Sequence, residues 1–159
     1  MKTMTTVSET LETTLASIDD GETSAIEFAR RAGFRDQALE KIGIAVREII
    51  ANAVVHGNRH NRRKKIFLAC SSTTERLVIA ISDQGEGFDV NSLPDPVAAV
   101  ALLRGSGRGI YLARAFMDEF HVRSSSKSGT TVVLVKYLKI NTRNSDAPHG
   151  QNRQTSTGL

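Results

Sequence analysis

Between Asp36 and Gly57 the chain places Ile42, Val46, Ile49, Ile50 and Ala53 at i, i+4, i+7, i+8 and i+11, the spacing of one face of an α-helix. At roughly 100° per residue, Glu48, Asn52 and His56 form a second stripe, about a quarter turn from the centre of that face. Asp36 opens this helix and Gly57 closes it. A helix of this kind must bury one stripe while keeping a carboxylate, an amide and an imidazole at the edge of the core. There the three polar groups can line the floor of a cavity.

The rest of the chain supplies the layer that the apolar stripe needs. Residues 4 to 15 alternate loosely in Thr, Val and Leu, a weak strand signal, and Ile18 to Ala32 has helical spacing at Ala25, Ile26, Phe28, Ala29 and Ala32 before Gly33. Ile66 to Ser71 and Arg76 to Ser82 read as strands of a hairpin joined at Ser72 to Glu75. A helix from about Arg108 to Asp118 precedes two further strands, Phe120 to Ser125 and Thr130 to Leu138, with Gly129 in the turn between them. The order βα αββ αββ predicts an α+β two-layer sandwich, with helices on one face of a mixed, largely antiparallel sheet. Residues 1–140 are expected to form one domain. The polar segment 141–159, which offers only Ala147 and Leu159 to a core, is expected to be a disordered tail.

The charge balance is +4 over 159 residues, but it is unevenly spread. Arg59, Arg62, Arg63, Lys64 and Lys65 fall in one short run, and the tail adds Arg143 and Arg153 against Asp146. Without these two segments the chain is mildly acidic, so the basicity is local and does not mark a nucleic-acid-binding fold. The run has no interleaved aromatic residue, which argues against a single-strand stacking platform. It reads as a solvated loop, as a docking surface for an acidic partner, or as added positive potential near the phosphates. Cys70 is the only cysteine and is expected in the core, which with the lack of an apolar leader points to a cytoplasmic protein with no membrane segment.

Four short patterns could carry chemistry. Glu48 and Asn52 are neighbours one helical turn apart, and an amide oxygen is a donor that Mg²⁺ accepts. Asp83-Gln-Gly85-Glu-Gly87-Phe88 follows a strand directly, so its Asp can accept from an exocyclic amine while its glycines allow close backbone approach. Gly105-Ser-Gly107-Arg-Gly109 runs into a helix, whose exposed N–H groups suit phosphate, yet neither the Rossmann nor the Walker pattern is present. Gly129-Thr130-Thr131 opens the last strand. Each pattern alone has an ordinary structural explanation as a solvated helix face, a glycine turn or a strand start; their order is the informative part.

In that order, over about residues 5–138, they resemble the nucleotide-binding signature of the GHKL ATPase superfamily. The wording EIIANAVVHGN, DQGEGFD and GSGRGIYLARAFMDEF is most similar to the single-domain anti-sigma factor serine/threonine kinases. The resemblance implies that Glu48 is the general base for a serine hydroxyl and that Asn52 holds Mg²⁺. It further implies that Asp83 accepts from the adenine amine with Thr130 acting through water, that Gly85 and Gly87 admit the base, and that Gly105, Gly107 and Gly109 wrap the phosphates. Arg104 and Arg108 both qualify as the basic residue near the terminal phosphate.

Those implications define an expected function. The chain would use Mg-ATP to phosphorylate a serine or threonine of an anti-anti-sigma antagonist, and would bind that antagonist and a sigma factor in alternation. The departure from the family lies in a short lid, Asp89 to Gly105, whose run Val97 to Leu103 is apolar and is expected to form a short helix. A nucleotide-gated binding module without meaningful catalysis is the alternative, and a direct nucleic-acid binder is a third reading. The oligomeric state stays open, a homodimer included.

Overall fold

The computed structural model describes residues 2–87 and 107–139. In chain order these form β1 (Thr5–Glu12), α1 (Ala16–Ala32), α2 (Asp36–Asn52), a π-helical turn (Ala53–Gly57), β2 (Lys65–Ser72), β3 (Arg76–Ser82), α3 (Gly107–Phe116), β4 (Glu119–Ser125) and β5 (Gly129–Tyr137). The expected α+β sandwich is present. Its sheet has five strands in the order β1-β2-β3-β5-β4.

The register explains why one face of this sheet is covered. Leu68 lies opposite Ile81, Cys70 opposite Ile79, Ile79 opposite Leu134 and Ile81 opposite Val132, so these side chains share one face, and all are buried. Against them pack Ile42, Val46, Ile49 and Ile50 of α2, each no more than 3% exposed, together with Ala25 and Ala29 of α1 and Ile110 and Ala113 of α3. Burying a side chain of this size contributes about 1.5–3 kcal/mol, so the α2 stripe is a principal fastening of the two layers. The opposite sheet face carries Phe67, Ala69, Val78, Ala80 and Val133, and Phe67 is exposed.

The sheet differs from the expectation in one respect. A helix between two strands often makes those strands parallel neighbours. Among the described residues all four pairings are antiparallel. The chain leaves β3, returns through α3 to β4 at the sheet edge, and then turns back so that β5 fills the place between them. The crossover strands β3 and β4 therefore never touch.

Helix ends differ in detail too. Gly33 ends α1 in the left-handed conformation (φ 110°), with its N–H on the Ala29 and Arg30 carbonyls, as its position suggested. Asp36 begins α2 without capping it, because the cap position is Arg35 and no side chain bonds the first turn. Among the described residues, no helix is long and apolar enough to cross a membrane.

Candidate functional site

Four pieces of backbone converge at one end of the sheet: the last turns of α2, the turn after β3, the start of β5 and the first turn of α3. The β3–β5 register sets Ser82 opposite Thr131, which brings Asp83 beside Thr130. Asp83 donates its N–H to the Thr130 carbonyl at 2.9 Å. In return its Oδ1 accepts from the Thr130 N–H at 3.1 Å and from the Gly85 N–H at 3.0 Å. Asp83 and Thr130 are both buried, and the Thr130 hydroxyl bonds that of Ser124 at 2.8 Å. Backbone donors thus fix the plane of this carboxylate.

The glycines around Asp83 serve that packing first. A Cβ on Gly57 would overlap the Asp83 carboxylate, its Cγ at 2.6 Å, and one on Gly85 would overlap the Gly57 carbonyl. Gly129, at φ 80°, would meet the Asp83 carbonyl. Gly57 ends the helical run, as its position suggested, but not in the left-handed conformation, which among the described glycines is taken by Gly33, Gly87 and Gly129. Instead, α2 widens into a π-helical turn, with the Asn58 N–H on the Ala53 carbonyl at 2.7 Å and the His60 N–H on that of Val54 at 2.9 Å. The absent side chain at Gly57 makes room for Asp83.

Asn58 completes this corner and was not singled out by the sequence. It is 1% exposed. Its Nδ2 donates to the Thr13 hydroxyl at 2.9 Å and to the Lys65 carbonyl at 3.0 Å, while its Oδ1 accepts from the Gln84 N–H at 2.8 Å. The Gln84 side chain in turn accepts from the Lys65 N–H at 2.7 Å. The available signal was a lone amide between a helix-ending glycine and a basic loop, in a position where a buried polar group has to be fully bonded.

Glu48 and Asn52 lie one turn apart on α2, as their spacing required. Glu48 is half-buried, and a Cβ on Gly109 would overlap its Oε2, so its carboxylate rests against the first turn of α3. Asn52 is 4% exposed, and its Nδ2 has no hydrogen-bond partner among the described residues. Leaving such a group unpaired costs about 1–3 kcal/mol, which marks an amide reserved for a ligand. Turned about its last bond, the same amide presents a carbonyl oxygen, the donor type that Mg²⁺ takes. The residue therefore fits the ion. No three His, Cys, Asp or Glu side chains gather as a metal cluster among the described residues, so the fit concerns an ion held largely by phosphate and water.

Arg104 and Gly105 lie outside the described residues, as does the segment Val97 to Leu103 on which a lid helix was expected. Gly107 and Arg108 form the start of α3, and of their side-chain positions only the backbone placement is described. Gly87 has φ 62° and packs against the Ser125 carbonyl.

The sequence from residue 11 to residue 136 matches the family described as the histidine kinase-like ATPase domain. Among curated relatives, the serine-protein kinase RsbW of Bacillus subtilis (strain 168) is 32% identical over 116 residues, covering 69% of this chain and 71% of that protein. RsbW of Bacillus licheniformis is 31% identical over 134 residues, covering 80% and 82%. RsbW of Staphylococcus epidermidis is 34% identical over 116 residues, covering 69% and 72%. The matched span runs from the end of β1 to the end of β5 and so contains every corner of the site.

Proposed function

The chain belongs to the histidine kinase-like ATPase domain family, and from that premise we propose that it is an anti-sigma factor type serine/threonine kinase that uses Mg-ATP. Its proposed substrate is an anti-anti-sigma antagonist, and it sequesters a sigma factor when the antagonist is phosphorylated. The names of its relatives, serine-protein kinases, support the reaction class. The observation that carries the reading is the Glu48 carboxylate seated against the first turn of α3 at Gly109. A base belongs there if phosphate is held at that helix start.

In the proposed reaction Asp83 accepts a hydrogen bond from the adenine amine, its orientation fixed by the Gly85 and Thr130 N–H groups. Thr130 adds a contact through water, and Gly85 and Gly87 let the base approach the backbone. Gly105, Gly107 and Gly109 line the phosphates, with Arg104 or Arg108 near the terminal one. Glu48 takes the proton of the attacking serine hydroxyl as that oxygen bonds to the γ-phosphorus. The bond from phosphorus to the β,γ-bridging oxygen breaks, and ADP leaves with the electron pair. Asn52 would hold Mg²⁺, which when bound neutralises charge on the phosphates.

Incubation with labelled ATP, Mg²⁺ and a candidate antagonist tests this. Label should appear on a serine or threonine of the antagonist, and Glu48→Ala should lower the rate by about 10²–10⁴-fold while ATP still binds. Equal transfer by wild type and Glu48→Ala would remove Glu48 as the base. ATP binding with no transfer by the wild type to any antagonist would replace the kinase with a nucleotide-gated binding module.

A further inference from the structure

We infer that the loop from Arg59 to Lys64 is a preformed docking surface for an acidic segment of a protein partner. Arg59, Arg62 and Arg63 are exposed, and Lys64 is half-buried. Among the described residues, none of these four side chains makes a hydrogen bond or ion pair. Elsewhere some cations are paired, as Lys2 is with Glu75, Arg31 with Glu27, Arg47 with Asp19 and Glu22, and Lys136 with Asp118. Those without an ion pair, such as Arg30, Arg76, Arg114 and Arg123, stand apart in sequence, so what distinguishes the loop is four such charges within six residues. Even Lys65, at the end of the same run, pairs with Glu12 at 2.5 Å. Four positive charges without an ion pair are thus concentrated on one short loop, and they equal the whole +4 balance of the chain.

The loop is held in place from below. Arg59 and His60 take left-handed backbone conformations (φ 51° and 58°), which side-chain-bearing residues adopt only where their surroundings fix them. Beneath them Asn58 bonds Thr13, Lys65 and Gln84, and Asn61 bonds the backbone of Arg63. A loop fixed before its partner arrives loses little conformational freedom on binding, which favours affinity. Through Gln84 it is also fastened to the turn that begins at Asp83, so a docked segment lies beside that corner of the molecule.

A protein segment fits this surface better than nucleic acid does. Strong binding to a duplex draws on about six to ten phosphate contacts, more than four side chains provide, and the rest of the chain, with no net charge, adds no further attraction for a long polyanion. A short carboxylate-rich segment meets the loop alone. The inference does not depend on phosphoryl transfer.

Fluorescence anisotropy of a labelled oligoglutamate peptide and of a labelled DNA duplex against the full chain tests the proposal. Arg62→Glu with Arg63→Glu should weaken peptide binding by about tenfold or more, while Arg114→Glu with Arg123→Glu, an equal charge change elsewhere, should alter it by less than about twofold. Asn58→Ala, which leaves the charge unchanged, should weaken it by about threefold or more if the anchored shape matters. Equal losses from both charge-reversed pairs, or tighter binding of the duplex with the same dependence on Arg62 and Arg63, would overturn the proposal. ATP binding by the Arg62→Glu/Arg63→Glu protein, measured in parallel, should stay within about twofold of wild type. Loss of ATP binding by the wild type would instead remove the kinase reading and leave the docking result standing.

Discussion

The carboxylate of Asp83 takes its orientation from two backbone N–H groups on one oxygen, and its place against the end of α2 from the missing side chain at Gly57. Gly57→Ala should therefore displace it. A hydrogen bond to a charged group contributes about 1.5–3 kcal/mol, so calorimetry should show ATP affinity reduced by roughly ten- to a hundredfold, close to the effect of Asp83→Ala. Affinity within about twofold of wild type would show that the carboxylate does not need this position. Gly109→Ala acts on the proposed base, Glu48. The added methyl overlaps Glu48 Oε2, and a misplacement of about 1 Å can cost about a hundredfold in rate, so kcat should fall by a larger factor than ATP affinity, which a methyl at a glycine proposed to line the phosphates also weakens. Cys70 offers a residue-scale test of packing. Burial, with a smaller contribution from Glu9, pushes its thiol from 9.0 up to about 12. The unfolded chain releases this proton first, so the contribution to stability is complete below about pH 9 and is lost from there up to about pH 12, at about 1.4 kcal/mol per pH unit. Tyr137, held above its ordinary range by Glu119, adds a slope of the same sign, so urea melts across that window should show a fall in stability that is shallower in Cys70→Ala than in wild type.

At the scale of elements, the instructive case is α2. Its periodicity was readable as far as Asn52, because the buried stripe Ile42, Val46, Ile49 and Ile50 repeats with the pitch of an α-helix. The π-helical turn beyond it was not readable, since it arises from two long-reaching N–H donors, Asn58 and His60, and from the space that Asp83 needs at Gly57. Those are tertiary demands with no local signature. The same holds for the sheet: strand positions follow from alternation, whereas the insertion of β5 between β3 and β4 depends on which edge the crossover reaches. Of the site, Glu48, Asn52, Asp83 and Thr130 could be named from residue type and order, while Asn58 could not, because its three partners come from separate parts of the chain. Asn58→Ala removes an amide that is 1% exposed and strands the Gln84 N–H and the Lys65 carbonyl. Denaturant unfolding should show a loss of about 2–3 kcal/mol, against less than about 0.5 kcal/mol for Asn61→Ala on the exposed loop. Similar values for the two would show that the corner is held by packing alone.

The whole molecule divides along the sheet. One end gathers the turn after β3, the start of β5, the π-helical turn and the start of α3. The other end holds the α1–α2 turn and the end of β5, where Gly33, Phe34, Lys41, Lys136 and Leu138 line a cavity of about 340 Å³. Its cations are partly occupied by carbonyls: Arg35 donates to those of Arg30 and Phe34 and Lys136 to that of Phe116. These contacts satisfy the last carbonyls of α1 and α3, so the basic character there serves the fold. The two ends should then respond differently to nucleotide. Amide hydrogen exchange with and without Mg-ATP should show added protection at residues 52–60, 83–87, 107–112 and 125–131, and unchanged exchange at 33–39 and 136–139. The intervening strands are paired on both sides in β2, β3 and β5 and packed under α2, which leaves little slack to carry a local change to the far end. Protection centred on the α1–α2 turn would move the nucleotide to that cavity and remove the roles assigned to Glu48, Asn52 and Asp83.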